Sequence, residues 1–183
     1  MKEQNDTMAE TLAEGRFLRF AKRKGWEFVE RPGLTGIVVI VGVTDEGEAV
    51  LVSQWREPVR SVVVEWPAGL AGDTVEGEGL ESAARRELLE ETGYEARWMK
   101  RIMAGPPSPG ISSEVVTVYL AVGLKKAGSG GGVDGEKIQV HRVPLSEFDE
   151  WVRDREAMGW MADPKVYAGL YWLKRELEGA EYD

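Results

Sequence analysis

Short apolar runs separated by turn-forming joints set the elements of this chain. Arg16 to Ala21 and Trp26 to Glu30 read as two short strands joined through Lys24-Gly25. The run GIVVIVGV, apolar from Ile37 to Val43, predicts a strand buried on both faces. Thr44-Asp45-Glu46-Gly47 then turns the chain into Ala49 to Trp55, a hairpin. Ser61 to Trp66 is a further strand, and Pro67-Ala68-Gly69 breaks its pattern. Arg97 to Ala104, Val115 to Val122 and Ile138 to Val143 complete the strand set. Between them, Gly105 to Gly110 is a stiff proline-bound loop, and the glycine-rich Lys126 to Gly135 predicts a mobile loop over a site. Residues 1 to about 15 are polar and expected to be loosely held.

Three stretches carry helical signals. Leu80 to Glu91 is free of Pro and Gly, rich in Ala, Leu, Glu and Arg, and stopped by Gly93. Ser146 to Met158 follows Ser146 as N-cap, and Pro164 to Leu177 follows Asp163 as N-cap with Pro164 in the first position. Strands with a central helix and two C-terminal helices define an α/β chain of the α+β type with a mixed sheet. No internal repeat interrupts it.

The first helix poses an electrostatic problem. At about 100° per residue, Glu87, Glu90 and Glu91 fall within an arc of about 100°. Like charges so close repel, and more strongly where water is thinned out. A divalent cation offsets that repulsion, and oxygen ligands of this kind suit Mg²⁺ or Mn²⁺.

Composition narrows the classes. The 183 residues are 43% hydrophobic and 30% charged, the make-up of a soluble globular domain. No apolar run has membrane-spanning length, the first ten residues lack a signal-peptide pattern, and there is no cysteine, so a cytoplasmic protein without disulfides is expected. Asp and Glu outnumber Lys and Arg by 32 to 23, for a net charge of −9, which argues against nucleic acid as a partner. A small phosphorylated substrate, its charge met locally by metal, remains compatible.

Gly72, Glu78, Arg86, Glu87, Leu88, Glu90, Glu91, Gly93 and Tyr94 stand at fixed spacing, and they resemble the Nudix box, G-x5-E-x7-R-E-U-x-E-E-x-G-U with U apolar. The resemblance implies an α/β/α sandwich with N-terminal antiparallel strands, and hydrolysis of a diphosphate linked to another moiety. Flanking segments are similar to the ADP-ribose pyrophosphatases and related nucleoside-diphosphate-sugar hydrolases. Glu65-Trp66-Pro67-Ala68-Gly69-Leu70 resembles their E-F-P-A-G-L, and Gln54-Trp55-Arg56 their Gln-aromatic-Arg. Ser108-Pro109-Gly110 with Ser113-Glu114 resembles their S-P-G-x-S-x-E loop, and Glu136-Lys137-Ile138 their mobile catalytic loop. One departure stands out: counted from Gly69, the Arg-Glu pair arrives three residues late. Either Gly72 takes over the turn, or Leu70 to Gly77 carries a three-residue insertion.

The resemblance implies roles. Glu87, Glu90 and Glu91, with the backbone carbonyl of Ala68, are expected to hold Mg²⁺ or Mn²⁺. Arg86 is expected to pair with a box carboxylate, and Glu78 to anchor the loop. Glu136 is the first candidate for the base that takes the proton of the attacking water, and Glu114 the second. Trp26, Arg56, Glu65 and Leu70 are candidate substrate contacts. His141 reads as structural. Residues 16–35 resemble a dimerisation element, so a homodimer is expected, with 36–183 as the hydrolase domain. ADP-ribose cleaved to AMP and ribose 5-phosphate is the leading reaction. The alternatives are a broader GDP- or UDP-sugar hydrolase, a cleaner of oxidised nucleoside triphosphates, and a non-catalytic ADP-ribose-binding module. The last is disfavoured because every box carboxylate is present.

Overall fold

The computed structural model describes residues 8–73, 77–133 and 135–179. Among these, a three-stranded antiparallel sheet comprises β1 (Glu10–Glu14), β2 (Arg19–Arg23) and β3 (Trp26–Glu30). The main sheet comprises β4 (Gly36–Val43), β5 (Glu48–Arg56), β6 (Ser61–Glu65), β7 (Ala68–Ala71), β8 (Tyr94–Gly105), β9 (Val116–Lys126), β10 (Gln139–Pro144) and β11 (Met161–Ala162). The helices are α1 (Leu80–Glu87), which runs on into a π-helical turn, Leu88–Thr92, then α2 (Phe148–Ala157) and α3 (Pro164–Gly179). The sheet is mixed, since β4 runs parallel to β9 and β6 parallel to β11.

Strand β4 explains both the sandwich and its own unbroken apolar sequence. Successive side chains point to opposite faces. Val38 and Ile40 join the core beneath α1, with Ala83, Ala84 and Leu88, while Val39, Val41 and Val43 join the core beneath α2 and α3, with Trp66, Phe148, Val152 and Leu170. Each face is therefore covered by helix, and alternation in polarity disappears.

A change of partner along β4 creates the cleft. The turn at Thr44–Gly47 closes through Thr44 N–H to Glu48 O and Gly47 N–H to Thr44 O, with Gly47 at φ 77°. Beyond it, β4 and β5 pair only at Gly42↔Val50 and Val43↔Ala49. Farther from the turn β5 takes β6, and β4 takes β7 through Gly36↔Ala71 to Val39↔Ala68. The segment expected to be a simple break after Trp66 is thus a short strand, because the parting of β4 from β5 leaves an edge for it to pair with.

Other boundaries differ from expectation for local reasons. Residues 10–14, expected to be loose, pair with β2 as β1; residues 1–7 lie outside the described residues. The first N-terminal strand starts later than Arg16, and its turn falls at Lys24-Gly25 as expected, both residues having positive φ. Ser146 does not cap α2: Glu147 N–H bonds Pro144 O in a turn, Glu147 takes the N-cap position, and no side chain caps it. Asp163 does cap α3, its carboxylate accepting the Lys165 N–H at 2.7 Å. Among the described residues, no helix is long and apolar enough to cross a membrane.

Two packing details on the α3 side are open to test. His141 is half-buried, hydrogen-bonded through Nε2 to Ser53 Oγ at 2.8 Å and packed on Trp151, as a structural histidine should be. Burial first, and then the charge of Arg155, hold its pKa below the ordinary 6.5. Its contribution to stability is present above 6.5 and is lost as pH falls, because the unfolded chain takes up the proton first. Urea unfolding at pH 7.5 and 5.5 should accordingly show a smaller drop in stability for His141→Gln than for the parent. At Gly169, a Cβ would lie 2.2 Å from Trp66 Nε1 and 2.8 Å from Val41 Cγ2. Trp66 donates to Val166 O at 3.1 Å, so Gly169→Ala forces this indole off its acceptor. The clash and the lost bond outweigh the ~1 kcal/mol of helix propensity that Ala adds, and chemical denaturation should show a net loss of roughly 2 kcal/mol.

Candidate active site

The end of α1 and the π turn after it carry Glu87, Glu90 and Glu91. Thr92 Oγ1 bonds back to Leu88 O, and Gly93 ends the turn at φ 71° with its N–H on Leu89 O. The carbonyls of Glu90 and Glu91 accept the N–H groups of Gly132 and Gly131, at 3.0 and 2.8 Å. A regular α-helix to Glu91, as the sequence predicts, therefore gives way at Leu88 to a wider turn whose last carbonyls serve the glycine-rich loop. That loop, expected to be mobile, is docked: Ala127 and Gly128 N–H both bond to Gly93 O. Asp134 lies outside the described residues.

Arg86 sits at the centre of the charges. Its Nε and Nη2 grip Glu78 at 3.1 and 3.0 Å, its Nη1 donates to Glu87 Oε1 at 2.8 Å and Glu90 Oε2 at 2.9 Å, and Nη2 also reaches Leu70 O at 3.0 Å. The bidentate bond to Glu78 comes first in raising the Arg86 pKa, and Glu78 is in turn held below the usual carboxylate range chiefly by Arg86. Glu78 is therefore the anchor that the sequence suggested.

A cavity of about 480 Å³ opens where β4 and β5 part. Among the sequence candidates it brings together Glu87, Glu91, Ala68, Leu70, Glu65, Arg56, Glu114 and Glu136. Burial pushes Glu87 up to about 7 against the pull of Arg86, with Glu90 and Asp73 adding to the rise. Glu91 goes up to about 8, again by burial first; the Ala68 N–H at 3.0 Å opposes this, while Glu87, Glu136 and Glu65 reinforce it. Arg56 and Glu65 form a bidentate pair at 2.8 and 3.0 Å.

Some expected neighbours stand elsewhere. Glu90 is committed to Arg86 and does not line the cavity. Trp26 is exposed and borders a separate hollow with Phe28 and Pro109, because β3 belongs to the small sheet; within one chain it does not reach the cavity. Sequence reasoning missed two cationic residues of the cavity wall. Arg31 pairs with Glu114 at 2.6 Å, and Lys165 pairs with Asp163 at 2.5 Å. Neither belongs to a motif, and only the fold brings them there.

The two glycines of the displaced segment do different work. A Cβ on Gly69 would lie 1.9 Å from the Glu87 carboxyl carbon, so Gly69 makes room for that carboxylate. Gly72 adopts φ 89°, and a Cβ there would meet Thr35 Oγ1 at 2.8 Å. Gly72 thus occupies a turn; within Leu70 to Gly77, the segment named for an insertion, residues 74–76 lie outside the described residues.

Residues 34–166 match the NUDIX domain. The chain belongs to the Nudix family. It is 38% identical over 149 residues to an ADP-ribose pyrophosphatase of Bacillus subtilis, covering 81% of this chain and 75% of that protein. It is 33% identical over 149 residues to the methanol dehydrogenase activator of Bacillus methanolicus, with the same coverage. A GDP-mannose pyrophosphatase of Klebsiella pneumoniae is 30% identical over 178 residues, covering 93% of this chain and 83% of that one. A solved structure of an ADP compounds hydrolase matches with TM-score 0.70 at 21% identity, over 95% of this chain and 94% of the other, which establishes the shared fold.

Nudix hydrolases generally use divalent metal ions, and the donor set fits one. Two buried carboxylates, Glu87 and Glu91, face one cavity with pKa values raised chiefly by burial, even with Arg86 bonded to Glu87. Among the described residues, no three acidic or histidine side chains form a cage by themselves. Mg²⁺-type ions are commonly held by one or two carboxylates, with water and substrate phosphate completing the shell. Gly69→Ala tests this arrangement, since its methyl displaces the flexible end of Glu87 while leaving the backbone in place. Metal-dependent turnover should fall on the order of 100-fold with a small change in Tm, as judged by activity assays and thermal scans.

Proposed function

We propose that this Nudix protein hydrolyses the diphosphate of ADP-ribose to AMP and ribose 5-phosphate, with Mg²⁺ or Mn²⁺ held by Glu87 and Glu91. The observation that carries the reading is the meeting of these two carboxylates with Glu136, Arg56 and Glu65 in one cavity, in a chain 38% identical to an ADP-ribose pyrophosphatase. When bound, divalent cations supply Lewis-acid polarisation of the phosphoryl oxygens and a water of lowered pKa. Arg86 fixes Glu87 from behind, and the Ala68 N–H orients Glu91. Arg56, held flat by Glu65, offers its remaining N–H groups to a phosphate or ribose oxygen.

Glu136 is the better base of the two candidates. Glu114 is engaged by the Arg31 guanidinium at 2.6 Å, so its carboxylate would have to leave that ion pair to reach an attacking water. Glu136 accepts a 3.2 Å bond from Val133 N–H and lies in the same cavity as Glu91. Trp26 meets substrate only from a second copy, which fits a homodimer built on the small sheet. Its exposed Leu12, Phe17, Phe20 and Trp26 supply the apolar surface.

The broader nucleoside-diphosphate-sugar reading is kept because the GDP-mannose pyrophosphatase relative aligns over most of the chain. Turnover of ADP-ribose, GDP-mannose and UDP-glucose at equal concentration, with product analysis, separates the two; ADP-ribose should be preferred, and equal rates would support the broader class. Glu91→Gln should lower kcat by more than about 100-fold with the fold intact by circular dichroism. Undiminished turnover in that variant would remove the metal assignment.

A further inference from the structure

The glycine-rich loop raises a question that its docking does not answer. Residues 127–133 read Ala-Gly-Ser-Gly-Gly-Gly-Val, a segment with the highest backbone entropy to lose and almost no side chain to bury. Yet its glycines make approaches too close for any side chain. A Cβ on Gly130 would lie 2.4 Å from the Thr92 carbonyl carbon, and one on Gly93 would lie 2.3 Å from Gly128 O. At the far end, Gly132 leaves room for Glu136, whose Oε2 a Cβ there would meet at 2.6 Å.

The side chain that ties this segment down comes from the residue before it. Lys126, the last residue of β9, lies opposite Tyr94 in the β8–β9 register. Its Nζ donates to Thr92 O at 2.7 Å and to Ser129 O at 3.3 Å, and stands 4.8 Å from the Tyr94 ring centroid. One cation therefore bridges the C-terminal end of the metal-binding turn, where carbonyls lack helical partners, and the first half of the loop.

We propose that Lys126 is a positioning residue for the hydrolytic reaction. By cross-linking Thr92 O to Ser129 O it holds the loop on the turn, keeps the Gly131 and Gly132 amides on the carbonyls of Glu91 and Glu90, and so sets where Glu136 stands relative to Glu91. The loop acts as a clasp closed by a lysine. This inference rests on the assignment of Glu136 as base, but its structural half does not.

Two measurements test it with the intact chain. In Lys126→Met, NMR-detected hydrogen exchange at Gly131 and Gly132 should accelerate roughly 10-fold or more while amides in β4 keep their protection, and Lys126→Arg should restore most of it. Unchanged exchange overturns the proposal, and a general loss of protection that Lys126→Arg shares overturns it as well. In kinetics, Lys126→Met should lower kcat on the order of 10-fold with KM held within about twofold. In a Glu136→Gln background the same substitution should cost nothing further. A full independent loss in that background overturns the positioning role. If Glu136→Gln alone retains parental kcat, the base assignment fails instead, and the exchange result still decides whether Lys126 is the clasp.

Discussion

The guanidinium of Arg86 is the constraint on which the site depends. It meets Glu78 at the end of the loop, Glu87 and Glu90 on the helix, and the Leu70 carbonyl on β7, so one planar cation fixes the relative position of loop, helix and strand. Buried charges of one sign are tolerable only with such a partner. Arg86 offsets part of the crowding that Glu87 feels, while the raised pKa of Glu91 arises from burial and from Glu87, Glu136 and Glu65. The remaining imbalance faces the cavity, where a cation and a phosphate would enter.

The sheet makes that cavity possible. Strand β4 pairs along one edge with β9 and along the other first with β7 and then with β5, and the gap between these two antiparallel partners is where Glu65, Ala68 and Gln54 come to the wall. The same strand feeds two hydrophobic cores from opposite faces, so the floor of the site is among the most thoroughly packed parts of the molecule. A precise constellation of charged groups needs such a rigid support.

Much of this was legible in the sequence, for reasons that differ by residue. The continuous apolar run of β4 announced a doubly covered strand, and the turn at Thr44–Gly47 followed from its glycine. The box spacing placed Glu87 and Glu91 together, because both belong to one local element. Glu90 stands outside the cavity wall, which helical periodicity could not foresee because it takes no account of Arg86 as a partner. The π turn was hidden because its cause is tertiary: the carbonyls of Glu90 and Glu91 serve a loop some forty residues away. Arg31, Lys165 and the separation of Trp26 from the cavity likewise depend on how distant elements pack. For the glycine-rich segment, composition signalled freedom, whereas close backbone packing uses the same glycines for order.

The pair Gly69 and Gly72 carries a consequence for how this chain tolerates change in length. Gly69 is fixed by the carboxylate it must avoid, and Gly72 by its left-handed backbone against Thr35, so the two residues between them cannot be added to or removed without breaking one requirement. On the other side, Glu78 is pinned to Arg86 and receives the Gly72 N–H. A change of length between Gly69 and Gly72 therefore disturbs either the seat of the Glu87 carboxylate or the left-handed turn against Thr35.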